Sequence, residues 1–322
     1  MIRCLPAAIL IAAGHASAFE MGAPVACDLG RTCFIQQYVD HDPGPGSHDL
    51  RCSPRTYDGH KGTDFRLPDL AALANGVAVL APAGGVVRAV RDGEADRLTR
   101  AERAIPVPSK LACGNGVLID HGQGWVTQSC HLKNGSVLVS PGDRVEAGDR
   151  IAEVGMSGRA EFPHLHLSVR KGQTVIDPFN GLEPQGTCEG ARHDLWSDAS
   201  GVSYDPGGAL AAGILSAAPE YDTIRAESPH AATLPATAPA LIMWAHFYGL
   251  EIGDEIETAL TGPDGAMIAN SSHTMPKSRA LEFRYTGRKA RGAWAPGRYT
   301  ARAVLRRQGE IVDEITRQTE LR

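Results

Sequence analysis

Five side chains of this sequence could together assemble a hydrolytic metal site. His60-Lys61-Gly62-Thr63-Asp64 places an imidazole and a carboxylate four residues apart, and His164-Leu165-His166 places two imidazoles two apart. His131 stands between the two motifs. Two histidines and one carboxylate suit catalytic zinc, which keeps a further coordination position for water. Zinc can lower the pKa of that water to about 7. Two histidines then remain, to act as a base or to hold a developing oxyanion. This is a sufficient set for hydrolysing an amide. Each piece alone is a weak signal: an isolated His-x-His is more often a surface accident, and a lone strand-end histidine is usually structural. The combination in one exported, strand-rich chain carries the weight.

The surrounding residues indicate which elements must position these groups. Gly62 and Pro68 argue against a helix through His60 and Asp64, so that motif is expected among turns. The run His164–Arg170 (HLHLSVR) reads as a strand. Residues i and i+2 of a strand share a face, so His164 and His166 should look into one site while Leu165 and Leu167 pack behind. Gly116–Asp120 and Trp125–Ser129 read as two strands joined by the turn at residues 121–124, with His131 at the end of the second. Short β-branched runs broken by glycine and proline recur at residues 76–90 and 136–154, without a sustained helical period. Residues 91–112 are charged and read as a surface excursion with a short helix.

HKGTD, the long run CHLKNGSVLVSPGDRVEAGDRIAEVGMSGR and PHLHLSV resemble the lysostaphin and LytM-type peptidoglycan zinc endopeptidases. The resemblance covers residues 57–180, under half the chain. It implies that His60, Asp64 and His166 bind zinc and that His131 and His164 are the catalytic histidines. It also implies an antiparallel, barrel-like β core with the duplicated hybrid motif, and hydrolysis of stem or cross-bridge peptides. Two positions depart from the family pattern. Cys130 precedes His131 where an aromatic residue or glycine is common, and Ser168 stands where glutamate often follows His-x-His. Neither is a ligand, so the departures bear on the groove rather than on metal binding. Relatives that have lost activity bind the wall or activate an amidase, and typically lack ligands. All five positions are filled here, which favours an active enzyme. The core runs also resemble lipoyl and biotinyl carriers and sugar-phosphotransfer domains, but no carrier lysine sits between the repeats.

Outside the motifs, the 322 residues carry a formal net charge of −5, which gives no basic stripe and argues against nucleic-acid binding. Residues 1–18 read as an export signal: Arg3, an apolar run, then Ala16-Ser17-Ala18. That run is too short to span a bilayer, so a periplasmic or secreted protein without a membrane anchor is expected. Removing the signal leaves six cysteines, which in an exported chain suggests disulfides. Six cysteines allow 15 pairings; proximity along the chain and across the hairpin favours Cys27–Cys33 and Cys113–Cys130, which leaves Cys52–Cys188.

Five segments follow: the signal, a disulfide-tied lead-in at 19–56, a peptidase region at 57–192, an Ala/Pro/Gly-rich linker with one or two strands at 193–239 and a β-sandwich at 240–322. The last, read from alternating strands between turn residues, is expected to be immunoglobulin-like. The fold class is therefore all-β. Peptidoglycan is the expected partner, with an amidase or divisome protein as an open possibility. Asn115 and Arg159 are expected to serve turns, Trp125 and Trp196 the core, and Asp177-Pro178 the close of the domain.

Overall fold

The computed structural model describes residues 19–188 and 194–322, so the expected export signal lies outside the described residues. No helix in the described part is long and apolar enough to cross a membrane. The N-terminal half comprises β1 (Phe34–Gln37), β2 (Thr63–Arg66), α1 (Leu70–Asn75), β3 (Ala78–Leu80), β4 (Gly85–Arg91) and α2 (Arg100–Ala104). It continues with β5 (Asn115–Gly122), β6 (Trp125–Leu132), β7 (Arg144–Val145), β8 (Arg150–Glu153), β9 (His164–Lys171) and β10 (Thr174–Ile176). The main sheet runs β1-β2-β9-β6-β5-β4-β7, with β10 paired to β9, and β3 pairs with β8 separately. Every ladder in this half is antiparallel, and the sheets are open rather than closed into a barrel.

Strand β9 shows why its sequence folds as it does. Leu165, Leu167 and Val169 are at most 1% exposed and enter the main core, while His164, His166 and Ser168 occupy the opposite face. A one-residue slip would exchange the two sets, so burial of the three aliphatic residues sets the register. That register aligns Asp64 with His166 on one side and Cys130 with His166 on the other.

The lead-in is more than a disulfide-tied approach. Its β1 forms the sheet edge beside β2, and Met21, Tyr38 and Leu50 are buried in the same core as β2 and β9. The three disulfides are Cys27–Cys33, Cys52–Cys188 and Cys113–Cys130, matching the expected pairing.

The C-terminal half contains β11 (Gly208–Leu215), α3 (Tyr221–Glu227), β12 (Thr233–Leu234), β13 (Ala240–Leu250), β14 (Glu255–Thr261), β15 (Met267–Thr274), β16 (Arg279–Lys289), β17 (Gly297–Arg307) and β18 (Glu310–Leu321). Sheets β11-β13-β16 and β12-β18-β17-β14-β15 face each other over a shared apolar core, a two-sheet sandwich. The segment at 193–239, expected as a linker with one or two strands, carries β11, α3 and β12, and β11 is buried along nearly its whole length. Its small residues have a physical reason: they are needed where another element approaches closely. A Cβ on Gly213 would come within 2.4 Å of the Trp244 indole nitrogen.

The halves are joined by polar contacts around Arg55, which is 2% exposed. Its guanidinium donates to the carbonyls of Ile35 and Asp205, and lies over the rings of Tyr38 and Tyr248. The Tyr38 hydroxyl accepts from the Asp205 backbone N–H at 2.7 Å.

Candidate metal centre and catalytic cleft

Strands β2, β6 and β9 bring all five expected residues together. Asp64 lies in β2, His131 near the end of β6, and His164 and His166 in β9. His60 sits in the turn before β2, and Gly62 lets that turn press onto β9. A Cβ at Gly62 would fall 2.6 Å from the Leu167 carbonyl oxygen and 2.7 Å from the His166 ring. This close approach is the structural reason for glycine inside HKGTD.

His60 Nε2, Asp64 Oδ1 and His166 Nδ1 converge in a triangle with edges of 3.2, 2.9 and 3.1 Å. They form a group of ligand atoms that could hold a metal ion. The hydrogen bonds on the far sides of the two rings assign their tautomers. His60 Nδ1 lies 2.6 Å from the Tyr38 carbonyl, which can only accept, so that nitrogen carries hydrogen. On His166 the distal Nε2 meets the Ser168 hydroxyl at 3.1 Å, and that hydroxyl donates to the Lys61 carbonyl at 2.8 Å. The hydroxyl proton being spent on Lys61, Nε2 of His166 must be the donor. Both rings thus turn a lone pair toward the carboxylate. Three electron-rich atoms within van der Waals contact repel one another unless a cation sits among them.

The electrostatics of the buried groups tell the same story. Burial opposes charge on both His60 and Asp64, yet their mutual attraction wins. Against burial, Asp64 is held well below the ordinary carboxylate range, chiefly by the charge that His60 carries when protonated. His60 is pushed upward, against burial, by Asp64 and the Tyr38 carbonyl. Without metal, a proton partly supplies the missing positive charge; metal binding would displace it.

His131 and His164 are arranged differently. Each donates Nδ1–H to a carbonyl, of Ser157 and Phe162 respectively, both at 2.8 Å. Each therefore has Nε2 as its free nitrogen. Burial is the main cause that lowers both pKa values, so both rings are neutral near pH 7. Their ring centroids are 4.6 Å apart, and His164 Nε2 lies 3.7 Å from Asp64 Oδ1. His131 adopts a left-handed backbone with φ of 61°, which an L-residue reaches at some cost. Its N–H donates to the Cys113 carbonyl at 2.8 Å, and the Cys113–Cys130 disulfide ties the same two segments. Cys130 thus helps hold His131 in place.

The cluster opens into a cleft of about 710 Å³ lined by Tyr57, Gln128, His131, Arg159, His166 and Ser168. His60 and Asp64 are buried behind it. The Tyr57 ring lies tilted against the His60 ring, with centroids 4.5 Å apart. Arg159, expected to serve a turn, instead lines this cleft, whereas Asn115 is fully buried and bonds the backbone of Glu94 and Leu132. Ser168 lay within reach of the sequence: period two places it on the face of His164 and His166. Tyr57 and the Tyr38 carbonyl had no such signal. Trp196 is buried as expected, but Trp125 is only half-buried and stacks on Phe19 at 4.5 Å. Asp177 is fully buried and pairs with His41 at 2.9 Å. A second potential ligand group, His48 with Cys52 and Cys188, offers no thiolate because its cysteines form a disulfide.

Residues 58–178 match Peptidase family M23. The chain is 32% identical over 126 residues to the cell division protein DipM of Caulobacter vibrioides, covering 39% of this chain and 18% of that protein. It is 33% identical over 110 residues to the peptidoglycan DD-endopeptidase ShyA of Vibrio cholerae, covering 34% of this chain and 20% of that one. A crystal structure of a zinc-containing peptidase from Vibrio cholerae aligns at 25% identity and a TM-score of 0.29, covering 46% of this chain and 39% of that chain. The chain spans under a third of the length of the curated relatives it matches. With the five-residue cluster lying inside the matched region, residues 58–178 form a peptidase domain of family M23.

Proposed function

We propose that this protein is an exported zinc endopeptidase that hydrolyses peptide cross-links of bacterial peptidoglycan. His60, Asp64 and His166 would hold the metal, with His131 and His164 as the catalytic histidines. The observation that supports the reading is the convergence of three lone-pair-bearing atoms which, with both rings neutral, have no hydrogen between them. Their separations of 2.9–3.2 Å lie near those of ligand atoms about a tetrahedral zinc with bonds of about 2.0–2.1 Å. The similarity to a peptidoglycan DD-endopeptidase supports the substrate class. Three disulfides support an oxidising compartment, in keeping with the periplasm.

Zinc bound there would supply a water acidic enough to attack an amide near neutral pH. The chain's own residues do the rest. The Tyr38 carbonyl and Ser168 fix the two ligand rings in the tautomers that leave their inner nitrogens bare. His131 and His164, neutral and held by carbonyls, offer Nε2 to take a proton from the attacking water and return it to the leaving amine. Protonated, either ring can donate to the developing oxyanion. The cleft beside His131 and His166 supplies the surface on which an extended peptide would lie.

The test is zinc content and murein-sacculus hydrolysis by the full chain, its His166→Ala variant and its His131→Ala variant. His166→Ala should lose both metal and cleavage. His131→Ala should keep the metal while slowing cleavage about 10²–10⁴-fold. Intact protein that binds zinc but releases no peptide product from sacculi would instead favour a wall-binding or amidase-activating factor. Cleavage that survives loss of the metal would remove the mechanism.

A further inference from the structure

Behind the catalytic cluster lies a second cavity, of about 750 Å³, between the peptidase half and the sandwich. Arg66, Arg97, Arg100, Arg103, Arg159 and Arg225 line it, against the carboxylates of Glu161 and Asp222 alone, a formal charge of +4. Among the described residues none of these six arginines makes an ion pair, although eight other arginines do. Neutral acceptors hold five of them instead. Arg97 donates to the carbonyls of Glu102 and Ile105, Arg103 to Leu98, Arg159 to Val107 and Arg225 to Glu161. Arg66 is 3% exposed and donates to the Gln36 side chain at 2.7 Å and the Leu67 carbonyl at 3.2 Å. A guanidinium has five N–H donors, so most of the donor capacity around the cavity is unspent. Crowding like charges at a partly desolvated place is unfavourable unless an anion completes it.

The cavity is linked to the catalytic cluster at two points. Arg159 lines both the cavity and the cleft. The Phe162 ring lies against His164 at 4.5 Å and under the Arg66 guanidinium at 4.7 Å. The cleft is itself cationic, with Arg91, Lys110, Arg159 and Arg170 against Asp58. Apolar walls from Ile105, Pro106, Phe162 and Leu281 alternate with the arginines. Planar forks that match carboxylates, set among apolar walls and continuous with a peptide cleft, fit an acidic peptide better than a fully polar phosphate polymer.

We propose that this arginine-lined cavity binds the carboxylate groups of an acidic peptide whose chain continues into the catalytic cleft. The proposal rests on the reading that the cleft accepts peptide, and extends it by placing an anchoring site at the junction of the two halves.

Calorimetry on the full-length, chelator-stripped protein tests it without any dependence on turnover. The probes are the tripeptide L-Ala-γ-D-Glu-meso-diaminopimelate and the same peptide with its free carboxyl groups amidated. The acid form should bind at least about tenfold more tightly than the amide, and an Arg100→Gln/Arg103→Gln variant should lose about tenfold for the acid form only, as expected for charge-assisted hydrogen bonds. Equal binding of the two forms, or no binding of either, overturns the proposal. Displacement of the acid peptide by equimolar inorganic phosphate would overturn the carboxylate assignment in favour of a phosphate ligand. Should the double variant fail to fold, the comparison of acid and amide on the unaltered protein decides. A protein that binds acid over amide yet cleaves no sacculus keeps the anchoring site while the proposed hydrolysis fails; cleavage with no preference for the acid does the reverse.

Discussion

Replacing Ser168 by alanine probes the proposed metal centre at a point that touches none of the proposed ligand atoms. In the structure the Ser168 hydroxyl accepts from His166 Nε2 and donates to the Lys61 carbonyl, linking β9 to the turn that carries His60. Its removal frees His166 to rotate or to move its proton to Nδ1, the nitrogen that faces Asp64. Loss of a partner that orients a ligand typically costs about 10–100-fold in metal affinity or activity. The His166 side chain is 16% exposed, so water can replace part of the lost bond. The expected loss is therefore at the lower end, about tenfold or about 1.4 kcal/mol. Zinc affinity would be read by competition with a chromophoric chelator, next to the melting temperature of the metal-free protein. Ser168→Thr, which keeps the hydroxyl, should recover most of the affinity. If Ser168→Ala bound zinc within twofold of the unaltered protein, the tautomer argument for His166 would be refuted. If the melting temperature fell along with affinity, and threonine did not restore it, the hydroxyl would be a packing group rather than an orienting one.

Two further outcomes follow from buried groups away from the metal. His246 is 2% exposed, and burial first, then the charges of Arg66 and Arg225, lower its pKa to about 3. The unfolded chain takes up that proton near pH 6.5, so between about pH 6.5 and 3 unfolding is proton-linked and stability falls as pH falls. At about 1.4 kcal/mol per pH unit, the drop from pH 7.5 to 5 attributable to His246 is about 2 kcal/mol; urea midpoints of His246→Leu should show a correspondingly shallower decline, and parallel declines would reject the assignment. Cys113→Ala/Cys130→Ala opens a loop of sequence separation 17. It should cost about 3 kcal/mol in denaturant unfolding, and lower kcat more than it raises KM because the left-handed His131 backbone loses its tether. Unchanged kcat in the folded variant would limit the disulfide to a stabilising role.

The parts of the site legible before folding were those governed by short-range rules. The alternation in HLHLSVR marks one wet and one dry face, because successive strand residues point oppositely, and the structure buries Leu165, Leu167 and Val169 accordingly. The same rule pointed to Ser168. Glycine and proline punctuation located most strands of the C-terminal sandwich and excluded a helix through His60 and Asp64. Composition was a poorer guide. Residues 208–215 are small because neighbouring chain presses on them, and small residues read as a linker when that neighbour is unknown.

What the sequence alone determined was thus an all-β class and a short inventory of candidate metal-binding and proton-carrying side chains set by local spacing, while the disulfide pairing was one choice among the 15 that six cysteines allow. Tertiary structure decided which atoms of those side chains meet. The bare nitrogens of His60 and His166 depend on carbonyls of Tyr38 and Lys61, the latter through Ser168, and the neutrality of His131 and His164 depends on their burial. The arginine cavity gathers arginines from β2, from α2 and the chain just before it, from the segment before β9 and from α3, up to 159 positions apart. No spacing along the chain encodes such a cluster, because its positive potential arises only when packing brings the elements together and removes the water between them.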